Sequence, residues 1–168
     1  MMDKRHLVLI GIMGSGKTTV GAALSAKSGR AFYDTDALVV VRYGMTIAEM
    51  FSHHGEAYFR DLETEAARYA ASLTEPSIIA TGGGIVLKSE NMEILKESGF
   101  VVYLRCSPEI LAMRLSDDTE RPLLAGVDLP TRIKTLLKER SKLYLKYSDV
   151  VLDGDAEVNK VVERITGN

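Results

Sequence analysis

The stretch from Gly11 to Thr18, GIMGSGKT, contains the residue types that bind a chain of phosphates. Its glycines allow backbone conformations with positive φ, so that N–H groups can surround phosphate oxygens. Lys17 supplies a compact cation, and Thr18 offers a hydroxyl to Mg²⁺. An apolar run precedes the stretch and a helical pattern follows it, which is the context that the phosphate-loop pattern requires. The expected ligand is a nucleoside triphosphate.

The same loop predicts which residues contact the nucleotide. The end of the loop that leads into the helix is expected to face the phosphates. The residues predicted to bind the nucleotide are therefore Gly14, Ser15, Gly16, Lys17, Thr18 and Thr19. Lys17 is also a candidate catalytic residue, because it neutralises the β and γ phosphates. A dinucleotide fingerprint fits less well, since Thr19 stands where a third glycine must allow close helix packing. A plain glycine-rich turn with a solvated lysine is the other alternative.

Two carboxylates, Asp34 and Asp36, come directly after the second apolar run. Ligands of open α/β sheets gather where parallel strands end. One carboxylate can orient the Mg²⁺ shell, and the other can accept a hydrogen bond from an acceptor hydroxyl and help to remove its proton. Aspartates are also common in solvated turns, so this pair by itself leaves both interpretations open.

Two further segments point to an acceptor pocket. Arg60 and Glu63 lie one helical turn apart, so they can pair and fix the guanidinium, although a surface ion pair is the ordinary interpretation of such spacing. The triplet Gly82 to Gly84 follows the third apolar run and can expose backbone N–H groups that no side chain covers. A second, smaller ligand beside the nucleotide is therefore expected.

Length and composition restrict the class of protein. The chain has 168 residues, of which 46% are hydrophobic and 26% are charged, and these values predict one globular domain over residues 1–168. A formal net charge of −2 provides no positive field for nucleic acid. The single cysteine, Cys106, excludes an internal disulfide and fits a reducing compartment. We expect it to pack in the core at the end of a strand.

No stretch approaches the ~20 apolar residues that span a bilayer. The basic residues and apolar run near the N-terminus imitate a signal peptide, but the run is short and no small-residue cleavage site follows it before the loop. The expectation is a cytoplasmic protein that binds neither membrane nor nucleic acid.

The hydrophobic pattern alternates short β-branched runs with longer helical segments, which predicts a parallel sheet wrapped by helices. The five predicted strands are His6–Ile10, Ala31–Tyr33, Ser77–Ala80, Phe100–Leu104 and Asp149–Leu152. The predicted helices are Lys17–Ser28, one that opens at Thr46–Met50 with a Thr46–Glu49 capping box, Glu56–Ser72, one capped by Ser107, and Leu129–Tyr147. The polar stretch Ser116 to Asp128 predicts a functional loop.

Taken together, the motifs resemble the shikimate kinase family, small enzymes of the phosphate-loop kinase superfamily that are related in fold to the nucleoside monophosphate kinases. The resemblance covers nearly the whole chain, and the motifs stand in the family's order. They are the phosphate loop Gly11–Thr18, DTD at Asp34–Asp36, GEAYFRDLE at Gly55–Glu63, TGGG at Thr81–Gly84, RPLL at Arg121–Leu124 and ERSKLY at Glu139–Tyr144. The phosphate loop alone indicates only a nucleotide, whereas the ordered set is specific.

The resemblance implies an architecture and an acceptor site. The fold would be a three-layer α/β/α P-loop domain with a five-stranded parallel sheet, a helical substrate-binding region at about 34–62 and a mobile lid at about 116–128. Asp36 would hold the acceptor hydroxyl of shikimate and serve as the base. Arg60 and Arg140 would grip its carboxylate, and Gly82 and Gly83 would contact the ring hydroxyls.

The resemblance also implies the groups around ATP. Asp34 would act on one Mg²⁺ through water, beside Thr18. Arg121, on the lid, would reach the transferring phosphoryl group and contribute to catalysis and ATP binding. Arg114 would lie against the adenine. Glu63 would offset the excess charge of the arginine clamp.

The function implied is transfer of the γ-phosphoryl group of ATP to the 3-hydroxyl of shikimate, giving shikimate 3-phosphate and ADP on the way to aromatic amino acids. We expect a monomer whose partners are shikimate and ATP. Two alternatives remain at this point. One is gluconate kinase or another small-metabolite kinase of the same fold, and the other is a nucleotide-binding protein that has lost turnover and regulates a partner.

Overall fold

A five-stranded parallel sheet forms the centre of the molecule. The structure is a computed structural model that describes residues 1, 5–118, 124, 126 and 128–167. The strands are β1 (His6–Ile10), β2 (Ala31–Asp34), β3 (Ser77–Ala80), β4 (Gly99–Arg105) and β5 (Val150–Asp153), in the order β2-β3-β1-β4-β5. Strands β3 and β4 lie on opposite sides of β1, so the strand order continues from β1 toward both edges of the sheet. At such a point a crevice opens at the carboxyl ends of the strands.

Eight α-helices and one short 3₁₀ turn connect the strands within the described part of the chain. The helices are α1 (Lys17–Ser28), α2 (Thr35–Tyr43), α3 (Ile47–His54), α4 (Glu56–Ser72), α5 (Ser89–Ser98), α6 (Pro108–Leu115), α7 (Leu129–Tyr147) and α8 (Val158–Thr166), and the 3₁₀ turn is Ile85–Leu87. Local chemistry sets several of their starts. Thr46 caps α3 in a reciprocal capping box with Glu49, and Ser107 caps α6 ahead of a first-turn proline.

Alternate residues of the sheet pack into two cores. On β1, Leu7 and Leu9 join the core under α1 and α8, whereas Val8 and Ile10 join the core under α4 to α7. The whole of β1 is buried, as expected for a central parallel strand with helices on both faces. The arrangement confirms the predicted three-layer α/β/α fold.

A third apolar cluster lies beside the sheet, where α2, α3 and α4 pack on one another. Val39, Met50 and Phe59 are buried there, and Phe51 packs against them with its ring centroid 5.2 Å from that of Phe59. This cluster gives the predicted substrate-binding region a core of its own, on which Asp36 and Arg60 are carried.

The predicted strands are confirmed to within one residue at each end, and the helices predicted at Lys17–Ser28, Glu56–Ser72 and Leu129–Tyr147 are confirmed with the same bounds. The helix predicted to open at Thr46–Met50 continues to His54. Helices α2, α5 and α8 were not predicted. The Val39–Val41 run of α2 is β-branched, which favours a strand and hides the helix, whereas α8 places Val158, Val161, Val162 and Ile165 on one face, a helical signal present in the sequence.

Candidate active site

The phosphate loop joins β1 to α1 by means of glycines in the left-handed region. Gly14 has φ of 81° and Gly16 has φ of 91°, conformations that are strained for other residues. Gly16 is the N-cap of α1 and makes no side-chain cap, so the N–H groups of the first turn of α1 are not covered by a capping side chain. A helix N-terminus of this kind, preceded by a glycine loop, attracts phosphate.

Lys17 lies inside the loop and is 8% exposed. Its Nζ donates to the carbonyl oxygens of Gly11 at 2.8 Å and Ile12 at 2.9 Å, and to Ser15 Oγ at 3.3 Å. The ammonium is therefore held at the floor of the loop by protein acceptors, next to the N-terminus of α1. It is placed where a triphosphate chain would meet it.

Thr18 and Asp34 form the pair that suits a magnesium ion. Thr18 Oγ1 donates to Asp34 Oδ2 at 2.9 Å, and the other carboxylate oxygen, Oδ1, accepts from the backbone N–H groups of Asp36 at 2.9 Å and Ala37 at 3.4 Å. Asp34 thus caps α2 and presents one oxygen toward the loop. A hydroxyl and a carboxylate are the oxygen ligands that Mg²⁺ prefers when phosphates complete its shell, so the donor set fits the ion.

Across the cleft from the loop, Asp36 and Glu63 converge on Gly82. A Cβ on Gly82 would lie 2.6 Å from Asp36 Oδ1 and 2.7 Å from Glu63 Oε1, so these carboxylates occupy the space that a side chain would need. Thr35 Oγ1 accepts a hydrogen bond from the N–H of Gly82 at 3.1 Å and anchors that backbone to the start of α2. Glycine at this position is required by the close approach of two carboxylates.

Arg60 is held by two glutamates of its own helix. Its Nη1 donates to Glu63 Oε2 at 3.0 Å, and its Nη2 donates to Glu56 Oε1 at 3.0 Å. These carboxylates raise the pKa of Arg60 against the opposing effect of burial. The guanidinium lies over Gly84, where a Cβ would be 2.6 Å from Nη2. The pairing expected from the spacing is therefore present, but it is a buried pair at a cleft and not a surface pair.

Arg140 enters the same space from α7 and is 3% exposed. Its Nε and Nη1 atoms are buried and have no hydrogen-bond partner among the described residues. Buried donors of this kind are costly unless something accepts from them. The neighbouring Tyr144, on the same helix, donates from its hydroxyl to the carbonyl of Gly83 and stacks on Tyr103 with ring centroids 5.0 Å apart.

These groups line one open cleft of about 1090 Å³. We call one side the phosphate half, which consists of the loop 11–18 with Asp34 and Arg114. The other side is the acceptor half, which consists of Asp36, Arg60, Glu63, Arg140 and the glycines Gly82 to Gly84. The lining includes every predicted site residue that the structure describes, namely Gly14, Ser15, Gly16, Lys17, Thr18, Thr19, Asp34, Asp36, Arg60, Gly82, Gly83, Arg114 and Arg140.

Two predicted arginines have different outcomes. Arg114 donates from Nη1 to the carbonyl of Gly14 at 3.1 Å and from Nη2 to the carbonyl of Gly154 at 3.0 Å, so it ties the phosphate loop to the turn after β5. Arg121 lies outside the described residues, as do residues 119–123, 125 and 127 of the predicted lid. The lid and the role of Arg121 stay predictions.

Three residues that shape the cleft were not assigned a role from the sequence. Thr35 holds Gly82, Glu56 holds Arg60, and Tyr144 holds Gly83. Glu56 could have been found, because it lies four residues before Arg60 on a predicted helix. The other two act across long separations in sequence, 47 residues for Thr35 and 61 for Tyr144, and no local pattern reports such contacts.

Outside the cleft, Cys106 is buried directly after β4, as predicted, and burial raises the pKa of its thiol to about 11. Within the described ranges, no group of three or more His, Cys, Asp or Glu side chains is arranged to hold a metal ion. No helix in that part of the chain has the length and apolar character needed to cross a membrane.

Comparison with known proteins finds one enzyme family. The sequence model of the shikimate kinase family matches residues 13–167. A shikimate kinase of Caldanaerobacter subterraneus subsp. tengcongensis is 41% identical over 162 residues, which cover 96% of this chain and 94% of the relative. A shikimate kinase of Geobacter sulfurreducens is 44% identical over 142 residues, which cover 84% of this chain and 78% of the relative.

A solved structure has a fold similar to that of this chain. The shikimate kinase from Acinetobacter baumannii in complex with shikimate superposes with a TM-score of 0.91 at 33% sequence identity, over 99% of this chain and 96% of that one. The match extends through the phosphate loop, α2 to α4 and α7, and therefore through both halves of the cleft. The predicted P-loop kinase fold is confirmed.

Proposed function

The chain belongs to the shikimate kinase family, and on that premise we propose how its residues transfer a phosphoryl group from ATP to shikimate. The chain is an ATP-dependent kinase, a phosphotransferase, and the gluconate alternative is not retained because the matched family is that of shikimate kinases. The acceptor is the 3-hydroxyl of shikimate, and the products are shikimate 3-phosphate and ADP. Each half of the cleft holds one substrate.

The phosphate half binds the triphosphate. The N–H groups of Gly14 to Thr19 donate to phosphate oxygens at the N-terminus of α1, where the helix dipole favours negative charge. Lys17 exchanges its bonds to the loop carbonyls for bonds to the β and γ phosphates. Since its Nζ already lies at the loop floor, a rotation of the side chain suffices. Arg114, fixed between Gly14 and Gly154, forms one wall of the adenine site.

Thr18 and Asp34 would hold one Mg²⁺, Thr18 directly and Asp34 through water. When bound, the ion neutralises charge on the phosphates and polarises the phosphorus that is attacked. The protein's own contribution is orientation. Asp34 is fixed at the N-terminus of α2 by two backbone donors, so that its remaining oxygen keeps a constant direction toward Thr18.

The acceptor half binds shikimate by its carboxylate. Arg60 and Arg140 approach from α4 and α7, and the unpartnered Nε and Nη1 of Arg140 can donate to the carboxylate oxygens as a fork. Glu56 and Glu63 keep the Arg60 guanidinium in place. The backbone of Gly82 and Gly83 contacts the ring hydroxyls, since no side chain separates the ring from this turn.

Asp36 is the base. It stands at the start of α2, on the acceptor side of the Asp34 pair, and it shares the space around Gly82 with Glu63. A carboxylate at this point accepts a hydrogen bond from the 3-hydroxyl, orients the oxygen for in-line attack and takes its proton as the bond to phosphorus forms. Arg121 would reach the transferring phosphoryl group when the lid closes, and a positioned arginine contributes ~10³ to 10⁵ in rate in related phosphoryl transfers.

The observation that carries the proposal is the buried Arg140, which lines a cleft that continues to the phosphate loop and has two donors without a partner in the described part of the chain. A fork of this kind selects a small carboxylic acid next to a triphosphate. We further propose that the protein is a cytoplasmic monomer that binds neither membrane nor nucleic acid; the net charge of −2 provides no positive field for nucleic acid.

The test is a coupled assay of ADP release with shikimate, gluconate and a nucleoside monophosphate as acceptors, each with MgATP. We expect turnover with shikimate and only background with the other two. Proton and phosphorus NMR of the product checks that the phosphate is on the 3-hydroxyl. Faster turnover with gluconate than with shikimate would refute the assignment of the acceptor half.

A further inference from the structure

The acceptor half contains more buried charge than a substrate clamp alone requires. Arg60, Glu63 and Arg140 are 8%, 1% and 3% exposed, and Asp36 reaches the same space. Taken as ionised, these four groups carry two positive and two negative charges. A shikimate carboxylate would add a third negative charge to a region with little access to water. An uncompensated charge in such surroundings is strongly unfavourable.

Glu63 is the group that can remove this excess. Its Oε2 accepts from Arg60, but its Oε1 is buried and has no hydrogen-bond partner in the described part of the chain. Oε1 and Asp36 Oδ1 both lie within 2.7 Å of the point that a Cβ of Gly82 would occupy, so two carboxylate oxygens face each other across a glycine. A proton on Oε1 would remove the repulsion between the two carboxylates.

Resting on the proposed function, we propose that Glu63 takes up a proton from solvent when shikimate binds between Arg60 and Arg140. The only bond formed in this step is O–H at Glu63 Oε1, and the proton returns to solvent when the product leaves. With Glu63 neutral, the substrate carboxylate and Asp36 together balance the charges of the buried Arg60 and Arg140.

The electrostatic surroundings of Glu63 favour its protonated form. Burial raises its pKa to about 7, with Asp36 of α2 acting in the same direction, while Arg60 of α4 and Arg140 of α7 oppose the increase. The other charged or titratable groups near it are Glu56, which shares Arg60, and Tyr144, whose pKa is itself raised by burial. A bound carboxylate adds negative charge beside the same arginines, so the pKa of Glu63 rises further in the complex.

The sign of the effect follows from linkage. Well below pH 7, Glu63 already holds its proton in the unbound protein, and binding takes up none. Above pH 7, Glu63 is ionised before binding and protonated after it. Binding then takes up about one proton, and the affinity for shikimate falls about tenfold for each further pH unit.

Isothermal titration calorimetry tests the proposal on the intact protein. Shikimate is titrated at pH 8 in HEPES and in Tris, and at pH 6 in MES and in imidazole, and the change of binding enthalpy with buffer ionisation enthalpy gives the protons taken up. We expect uptake approaching ~one proton at pH 8 and close to none at pH 6. Glu63→Gln should bind shikimate with no uptake at either pH and with a dissociation constant that does not change between them.

Glu65→Gln is the matched control, because Glu65 lies on the same helix as Glu63 but is exposed, pairs with Tyr43 and does not line the cleft, and its proton uptake should equal that of the unaltered protein. Zero uptake by the unaltered protein at pH 8, or full uptake by Glu63→Gln, would overturn the inference. The first of these outcomes does not depend on the folding of any variant. Binding heat without proton uptake refutes only the role of Glu63, whereas the absence of shikimate binding in every buffer refutes the proposed function as well.

Discussion

The two halves of the cleft differ in whether their buried polar groups have hydrogen-bond partners within the protein. In the phosphate half, Lys17 donates to three acceptors of its own loop, Thr18 donates to Asp34, and Arg114 donates to two backbone carbonyls. In the acceptor half, Arg140 Nε and Nη1 and Glu63 Oε1 are buried and have no partner within the described ranges. The phosphate half satisfies its donors with its own backbone and side chains, and the acceptor half presents buried groups that a ligand can satisfy.

The difference predicts where each half obtains its affinity. ATP must replace hydrogen bonds that the loop already makes, so each exchanged bond contributes little net free energy and affinity depends on the number of phosphate contacts. Shikimate finds donors whose desolvation has already occurred on folding, so each new bond contributes more. Substitutions in the acceptor half should therefore change shikimate kinetics strongly and leave ATP binding almost unchanged.

The largest expected effect is that of Asp36→Asn, which keeps the shape of the side chain and removes the base. We expect kcat to fall by ~10² to 10⁴, because general-base assistance of this size is lost. ATP affinity, measured by fluorescence competition, should stay within ~twofold, since Thr18 of the phosphate loop donates to Asp34, which this change leaves in place. A small loss of stability is also expected, because Asp36 lies in the first turn of α2 and interacts favourably with the helix dipole.

Asp61→Asn is the control for this change. Asp61 lies on α4, is 75% exposed and pairs with Lys88 on the surface, so its loss should leave kcat unchanged. If Asp36→Asn retained more than ~a tenth of the unaltered kcat, Asp36 would not be the base. If ATP affinity fell in parallel with kcat, the two halves would not be separable in the way described above.

Arg140→Lys should have the next largest effect. Lysine keeps the charge but cannot reproduce a planar fork, so we expect the KM for shikimate to rise by ~10- to 100-fold and the KM for ATP to stay within ~twofold. Steady-state kinetics with each substrate varied in turn gives both values.

Arg68→Lys provides the comparison, since Arg68 is 57% exposed and pairs with Glu90 at the protein surface. Neither KM should change in that variant. Equal increases of both KM values in Arg140→Lys would mean that Arg140 supports the whole cleft and does not select the acceptor.

The contrast between the halves also explains what the sequence could predict. The phosphate half comes largely from eight consecutive residues, Gly11 to Thr18, whose roles depend on local backbone geometry, and the pattern alone predicted the loop and its helix. The acceptor half joins α2, α4, α7 and the turn after β3. Position after the second and third strands predicted Asp36 and the Gly82–Gly84 turn, and spacing predicted the Arg60–Glu63 pair. The place of Arg140 beside them came from the family resemblance.

The fold was predictable for a related reason. Buried strands and amphipathic helices carry their own periodicity, which predicted every strand of the sheet and the helices α1, α4 and α7. Helix α2 was missed because tertiary packing and the Asp34 cap override the strand preference of Val39 to Val41. Contacts such as Thr35 to Gly82 depend on how α2 lies against β3, and that arrangement is decided by packing between distant segments.

The smallest expected effect concerns Tyr144, which we expect to act as a positioning residue. Tyr144→Phe keeps the stacking on Tyr103 and removes the hydroxyl, which donates to the Gly83 carbonyl and also interacts with Arg140. Because Gly83 is only half-buried, water can replace the lost donor, and kcat/KM for shikimate should fall by only ~3- to 10-fold. The loss should appear mainly in the KM for shikimate, with ATP parameters unchanged.

Tyr147→Phe, at the end of the same helix, is the matched variant and should behave as the unaltered protein. The kinetics of these two variants show which contacts fix the turn Gly82–Gly84. Gly83 also packs against the loop, where a Cβ would lie 3.1 Å from the backbone nitrogen of Met13. If Tyr144→Phe raised the KM for ATP as much as that for shikimate, the turn would transmit strain into the phosphate loop. A change confined to shikimate would instead mean that Tyr144 orients the turn only for the acceptor, and that the two halves meet at Gly83 without being coupled there.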